Sequence, residues 1–361
     1  MLASMAGRML QFAALFSLKP FDGSSEQGRA RERYRRVALS AIAAAAAKLV
    51  TVGTTLISVP LTLHYLGAER YGMWMAMSSV IAMLSFADLG MGNGILNAVA
   101  ESNGRDDRQA IRRNVSSGYF ILGLIGTLFA AAFAVAYPHV GWDRLFNVQS
   151  PVAQTEAGPA IAVLASAFAI NIPLTVVQRV QAGLQQGFTA NLWQCLGSVL
   201  GLAGVLVAIG AEAALPWLVA AMVGGPIIAT ICNTIHFFGF AQPDLLPVPR
   251  CVATENIHRI SHTGIWFFAL QISVALAYAS DSFVISQVLG ASAVTEYAVP
   301  EKMFALITVL VGMALGPLWP AYGEAIARGD SKWAQQTLRR SVVGAITVAA
   351  LIASLLVLLG N

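Results

Sequence analysis

From Val37 onward the chain alternates long apolar runs with short polar stretches. The runs fall at about 37–63, 73–100, 114–137, 158–178, 188–210, 213–237, 263–288, 297–325 and 341–359. A bilayer core of about 30 Å needs roughly 20 apolar helical residues, so each run is predicted to be a membrane-spanning helix. Helices are favoured because each satisfies its own backbone polar groups in lipid. A membrane β-barrel would show strict alternation, and these runs do not alternate. The prediction is an all-α integral membrane protein with nine spans. Composition agrees, with 57% hydrophobic and 11% charged residues against about 25% charged in soluble chains.

The polar stretches give a direction. Of 22 Lys and Arg, 18 fall in residues 1–36 and in the loops 101–113, 179–187, 238–262 and 326–340. The alternate loops hold two, Arg70 and Arg144, and Lys48 and Lys302 lie within spans. Basic loops stay in the cytoplasm, so the N-terminus is expected inside and the C-terminus outside. Residues 1–36 lack the long apolar stretch and small-residue cleavage site of a signal peptide. They are expected to form a cytoplasmic tail, with a weak surface helix near 5–18. Cys195, Cys232 and Cys251 have no metal-pair or disulfide spacing. No metal, cofactor or nucleic-acid partner is expected.

A phrase recurs at the same kind of junction. "HYLGAERYGMW" at 64–74 and "QVLGASAVTEYAV" at 287–299 both separate apolar runs. Gly67 matches Gly290 at an offset of 223, and Arg112–Arg113 match Arg339–Arg340 at 227. Spans 7, 8 and 9 therefore echo spans 1, 2 and 3 with the same sidedness, as in a parallel repeat of a six-span unit. The expected organisation is a tail (1–36), a first lobe (37–237), a cytoplasmic inter-lobe linker (238–262) and a partial second lobe (263–361). The second unit stops after three spans, the expectation being a piece of a longer chain or a short form that needs a partner.

The phrases "FADLGMGNGILNAVAE", "GWDRLFNV", "RVQAGLQQGFTANLWQCLGS", "DSFVISQVLG" and "GPLWPAYGEAIARGDSKW" resemble the polysaccharide (O-antigen) flippases. These belong to the multidrug/oligosaccharidyl-lipid/polysaccharide exporter superfamily. The resemblance implies a two-lobed exporter fold around a central cavity, its second lobe truncated here. It also implies a non-enzymatic inner-membrane carrier of an undecaprenyl-pyrophosphate-linked oligosaccharide, working among membrane lipids. A polysaccharide polymerase or export protein is the protein partner it suggests.

Several polar residues inside the spans are candidates for that work. Lys48 is expected about 17 Å into the first span at 1.5 Å per residue. A central Lys costs about 2.5–3.5 kcal/mol on insertion scales, so a wet cavity, an acid or an anionic ligand must offset it. It is the candidate pyrophosphate contact, with Thr51, Thr55 and Gln271, its repeat counterpart, as expected polar neighbours. Asp88, Asp281, Gln271, Glu301 and Lys302 are candidates for cavity or coupling roles. Asp88 stands beside Gly90, Gly92 and Gly94, which permit close packing or a local break, and Pro317 and Pro320 should bend the eighth span. Asn93, Asn97, Asn171, Gln178, Asn191 and Gln194 are expected mainly to join helices.

Two readings compete. A cation-coupled multidrug-type antiporter would share the lobes but rely on buried carboxylates, without a need for Lys48. A non-catalytic membrane subunit of a glycan-synthesis complex would need no cavity chemistry at all. In a variant without native cysteines, Arg105→Cys should resist a membrane-impermeant thiol reagent applied outside intact cells, while Ser150→Cys reacts. Outside labelling at position 105 would reverse the orientation.

Overall fold

The computed structural model describes residues 21, 26–83, 86–289, 301, 304 and 307–359, and the described secondary structure is helical, without strands. The surface helix expected near 5–18, and Gly290 and Tyr297 of the second phrase, lie outside the described residues. The helices are α1 (Glu26–Met83), α2 (Met91–Gly104), α3 (Arg108–Ala136), α4 (Pro151–Gly183), α5 (Gly187–Gly210), α6 (Leu215–His236), α7 (Thr254–Leu289), α8 (Leu318–Ala327) and α9 (Ser331–Leu359). A further helical stretch covers 307–315. Six of the described helices are long and apolar enough to cross a membrane: α1, α3, α4, α5, α6 and α9. Their surfaces carry large exposed aliphatics such as Leu49, Leu56, Val207, Leu351 and Leu358, as lipid contact demands.

Helix α1 begins eleven residues before the apolar run at Val37. Residues 26–36, expected as tail, are its first turns. Glu32 accepts hydrogen bonds from Arg35 at 2.8 and 2.7 Å and from Arg36 at 2.9 Å, the pairs that helical spacing brings together. Burial opposes the Glu32 charge, but hydrogen bonds from Arg35, the Phe21 backbone and Arg36 outweigh it and lower the carboxyl to about 2. Far along the same element, Gly67 takes φ 74 and ψ 168, and the chain turns between two helical stretches. That backbone region favours glycine, which explains the Gly of the Leu-Gly-Ala phrase.

Two of the expected spans are broken. Within 73–100, α1 ends at Met83 and α2 starts at Met91, after left-handed Leu89 (φ 50) and Gly90 (φ 73). Within 297–325, a turn at Gly316–Pro317 separates the 307–315 stretch from α8. Pro317 has no N–H to continue the ladder.

Two apolar cores stack along the bundle. One joins α2, α3, α4 and the segment after α6 through Ile95, Ile111, Leu122, Val177, Phe237 and Leu245. The other, nearer the Gly67 turn, joins α1, α4 and α6 through Trp74, Met77, Ile161, Leu164, Leu215 and Leu218. The 238–253 connection is pinned on α3 rather than loose. Arg112 Nε donates to the Leu246 carbonyl at 3.1 Å, and the Val248 and Ala253 N–H groups donate to Ser116 and Ser117.

Helices α5 and α6 meet along Gly197 and Gly201, the glycines of "GSVLG" at 197–201. A Cβ on Gly225 would lie 2.2 Å from the Gly201 nitrogen, whereas one on its neighbour Gly224 would meet nothing within 4 Å. Closer to the basic loops, Gln181 and Asn233, both fully buried, exchange hydrogen bonds of 2.7 and 2.9 Å between α4 and α6. Gly225→Val should lower the unfolding temperature in detergent well below that of Gly224→Val, since overpacking costs about 1–3 kcal/mol; equal temperatures would contradict this seam. Gln181→Leu should destabilise more than the Gln181→Leu/Asn233→Leu double variant, because it alone leaves a buried amide unpaired. The same unfolding assay checks the order.

Candidate functional site

Helix α1 presents one flank to α5 and the adjacent flank to the later helices. The α5 side is marked by Thr51, whose hydroxyl lies 3.1 Å from that of Ser198, and by Ser40, whose carbonyl accepts Asn191 at 3.3 Å. On the adjacent flank a cavity of about 290 Å³ separates α1 from the 312–320 segment. Its polar lining is Arg36, Ser40, Gln185 and Asn191, and Gly312, Gly316 and Pro320 form the opposite wall.

Val37 and Ala44 of α1 also line this cavity. Lys48 lies eleven residues beyond Val37, and eleven residues make just over three helical turns. It therefore projects on the same stripe, one turn above Ala44 and roughly 17 Å beyond Val37 at 1.5 Å per residue. Its side chain is exposed, and no ion pair engages it among the described residues. The neighbouring hydroxyls serve the helix itself. Thr51 Oγ1 donates to the Ala47 carbonyl at 2.9 Å and Thr55 Oγ1 to the Thr51 carbonyl at 2.7 Å. Gln271, on α7, is half-buried, and its Oε1 is buried without a hydrogen-bond partner among the described residues. No hydrogen bond joins it to Lys48 among them.

Asp88 sits at the break before α2. Its carboxylate accepts the N–H groups of Gly90 at 2.9 Å and Gly92 at 3.3 Å, capping the helix. Arg179 stands close by, with NH1 donating to Asn93 Oδ1 at 3.2 Å. Asp281 lies on α7 and Glu301 is helical and half-buried; the Asp281 side chain and Lys302 lie outside the described residues. Among the expected joining amides, Asn93, Asn97 and Asn191 each bridge helices, Asn97 by accepting Trp319 Nε1 at 2.8 Å.

Below the cavity lies a charged cluster that the sequence reading passed over. Arg33, 3% exposed, pairs through NH2 with Asp330 at 2.8 Å and lies 3.7 Å from Glu324 through Nε. Arg328 reaches Glu324 at 2.9 Å and Asp106 at 2.8 Å. Gln185 Nε2 donates to Glu324, and the Trp333 ring centroid lies 5.1 Å from the Arg33 guanidinium carbon. The available signal was the presence of acids at the strongly basic end of the chain.

Residues 37–325 match the polysaccharide biosynthesis protein family. A protein of Yersinia pseudotuberculosis described as an O-antigen export protein is 24% identical over 309 residues, covering 81% of this chain and 67% of that protein. A Salmonella typhi protein described as an O-antigen transporter is 20% identical over 302 residues, covering 83% and 68%. The fold superposes on an outward-facing multidrug resistance MATE family transporter of the MOP superfamily with a TM-score of 0.74, at 14% identity, covering 89% of this chain and 71% of that one. This multi-pass membrane protein has the fold of the MOP-superfamily transporters and belongs to the polysaccharide biosynthesis protein family.

Proposed function

We propose that the chain carries an undecaprenyl-pyrophosphate-linked oligosaccharide across the inner membrane by alternating access, for O-antigen or related polysaccharide synthesis. The N-terminus and the basic loops face the cytoplasm, and the repeat arranges the helices as two lobes of the same orientation. Lys48 is the stepping point for the pyrophosphate. The observation that carries this reading is the stripe on α1. An exposed cation stands one helical turn above a polar-lined cavity between α1 and the later helices. A bare diphosphate cannot enter hydrocarbon, because burying an unpaired charge is very costly. A cation at half depth offsets that cost, and an acid pairing with Lys48 would remove the benefit. The family match and the O-antigen relatives support the substrate class.

Asp88 argues against the antiporter reading, since its carboxylate already accepts two backbone N–H groups. The sugar portion would meet amides and hydroxyls such as those of Gln185, Asn191 and Ser40 at the cavity wall.

The test is complementation of polysaccharide export by Lys48 variants at matched protein levels. Lys48→Ala should reduce export about tenfold or more, which corresponds to about 1.4 kcal/mol of lost interaction. Lys48→Arg should retain part of it, since charge survives while geometry changes. Normal export by Lys48→Ala and Lys48→Gln would leave Lys48 as a solvated structural charge.

A further inference from the structure

The charged cluster beneath the cavity joins segments that are remote in sequence. Arg33 comes from the start of α1, Asp106 from the α2–α3 turn and Gln185 from the α4–α5 turn. Glu324, Arg328 and Asp330 come from the end of α8. The acid at the centre is Glu324, 7% exposed, which faces Arg33, Arg328 and Gln185 together. Gln185 donates to Glu324 and Arg328 pairs with it at the end of α8, so separating α8 from α1 would take both acids, Glu324 and Asp330, away from the buried Arg33. A buried charge without its partner is strongly unfavourable, so partial opening is disfavoured and the interface behaves as a two-position element.

The setting gives that element a function. Among the described residues, every hydrogen bond and ion pair between α1–α6 and α7–α9 lies at the basic end of the bundle or within two turns of it. Apart from the Asn97–Trp319 bond between α2 and α8, these contacts form two groups. On one side, Asn256 and Arg259 of α7 donate to the buried Asn114 of α3. There the 238–253 connection also tethers α7 covalently and by its own bonds to α3. On the other side, α1 meets α8 and α9 through the Arg33 cluster and a 2.7 Å contact between the Tyr34 and Thr337 hydroxyls. Among the described residues no chain connection bridges that side, so its non-covalent contacts are the ones that can separate. The first side has the makings of a hinge.

We propose that Arg33, Asp106, Gln185, Glu324, Arg328 and Asp330 form a latch that shuts the cleft at the basic end. The proposal rests on the alternating-access reading, and it adds the element that sets which end is closed. Gln185 belongs both to the latch and to the cavity wall, and its Oε1 is buried without a hydrogen-bond partner among the described residues. Opening the latch would therefore expose the cavity at the basic end. The backbone beneath the latch fits tight closure. A Cβ on Gly104 would lie 2.5 Å from Ala327 Cβ, and one on Gly323 would lie 3.3 Å from Ala100 Cβ.

The test reads access to the cavity and needs no transport. The chain is purified and reconstituted in lipid nanodiscs, with Cys195, Cys232 and Cys251 replaced by Ser and Ala190→Cys placed at the cavity wall. A charged, membrane-impermeant maleimide reports exposure. Labelling should be slow in this background and rise about tenfold with Arg33→Gln or Glu324→Gln, as a loss of about 1.4 kcal/mol in closure would produce. Arg33→Lys should stay slow. Arg105→Gln should also stay slow, because Arg105 pairs with Glu101 at the end of α2, and Glu101 faces Arg259 on the hinge side rather than the latch. Where Arg33→Gln fails to give a monodisperse protein, the less buried Arg328→Gln carries the test. Equal labelling rates in monodisperse latch variants and in Arg105→Gln would overturn the latch, leaving the Lys48 reading untouched. Conversely, loss of the Lys48 effect on export would leave the labelling result standing.

Discussion

The close approach of α2 to the later helices is the constraint on which the cleft depends. A Cβ on Gly90 would lie 2.2 Å from the Gly264 carbonyl oxygen, and one on Gly94 would lie 2.5 Å from that of Ile260. Gly104 meets Ala327 and the Glu324 backbone in the same way. Larger residues at these three positions would push α7 and α8 outward. The α8 end would then leave Arg33 and Gln185, and the cavity would lose its wall. Small residues serve this role between membrane helices because packing, rather than water exclusion, drives their association. Helix α2 can lie at this angle because the chain breaks before it, at left-handed Leu89 and Gly90, with Asp88 satisfying two of the freed N–H groups.

Charge gives the cleft its polarity. At the Gly67 end, Arg70 pairs with Glu156 at 2.7 and 2.8 Å, and Glu69 accepts the N–H groups of Gln149 and Ser150. Both sets of contacts stay within the first six expected spans. At the basic end, Arg33 and Arg328 instead pair across to the other group of helices. Ion pairs within a group rigidify it, whereas ion pairs across a separable interface set its equilibrium. The same chemistry thus has different consequences at the two ends.

The apolar runs were legible in the sequence because a bilayer imposes both a length and a composition on whatever spans it. The broken second span was legible too, through the glycines beside Asp88, and the bend in the eighth through Pro317. Residues 26–36 were not, because the arginine-rich run "RARERYRR" looks like a solvated tail until Glu32 is seen to pair along a helix and Arg33 to be buried. The charged cluster was hidden by distance along the chain: Arg33 and Glu324 are separated by most of it, and no local pattern links them. The surroundings of Lys48 also differ from expectation. Thr51 and Thr55 bond to their own helix backbone, a local option always open to threonine in a helix and invisible as a choice in the sequence.

The contrast between Arg36 and Lys48 gives the cleft its chemical sense. Both stand on α1 and border the space facing the later helices. Arg36 Nε is held by Glu32 at 2.9 Å, so its charge is already partly answered at the helix start. Lys48 has no acidic partner among the described residues, and the hydroxyls beside it are engaged elsewhere. An unanswered cation at half depth costs energy in an empty cleft and repays it only when an anion arrives. On the proposed function, Lys48 is the charge left open for an anion, whereas Arg33, Arg36 and Arg328 nearer the basic end already face carboxylates. The lipid diphosphate of the proposed function would bring such a charge on a polyprenyl chain that stays in the bilayer.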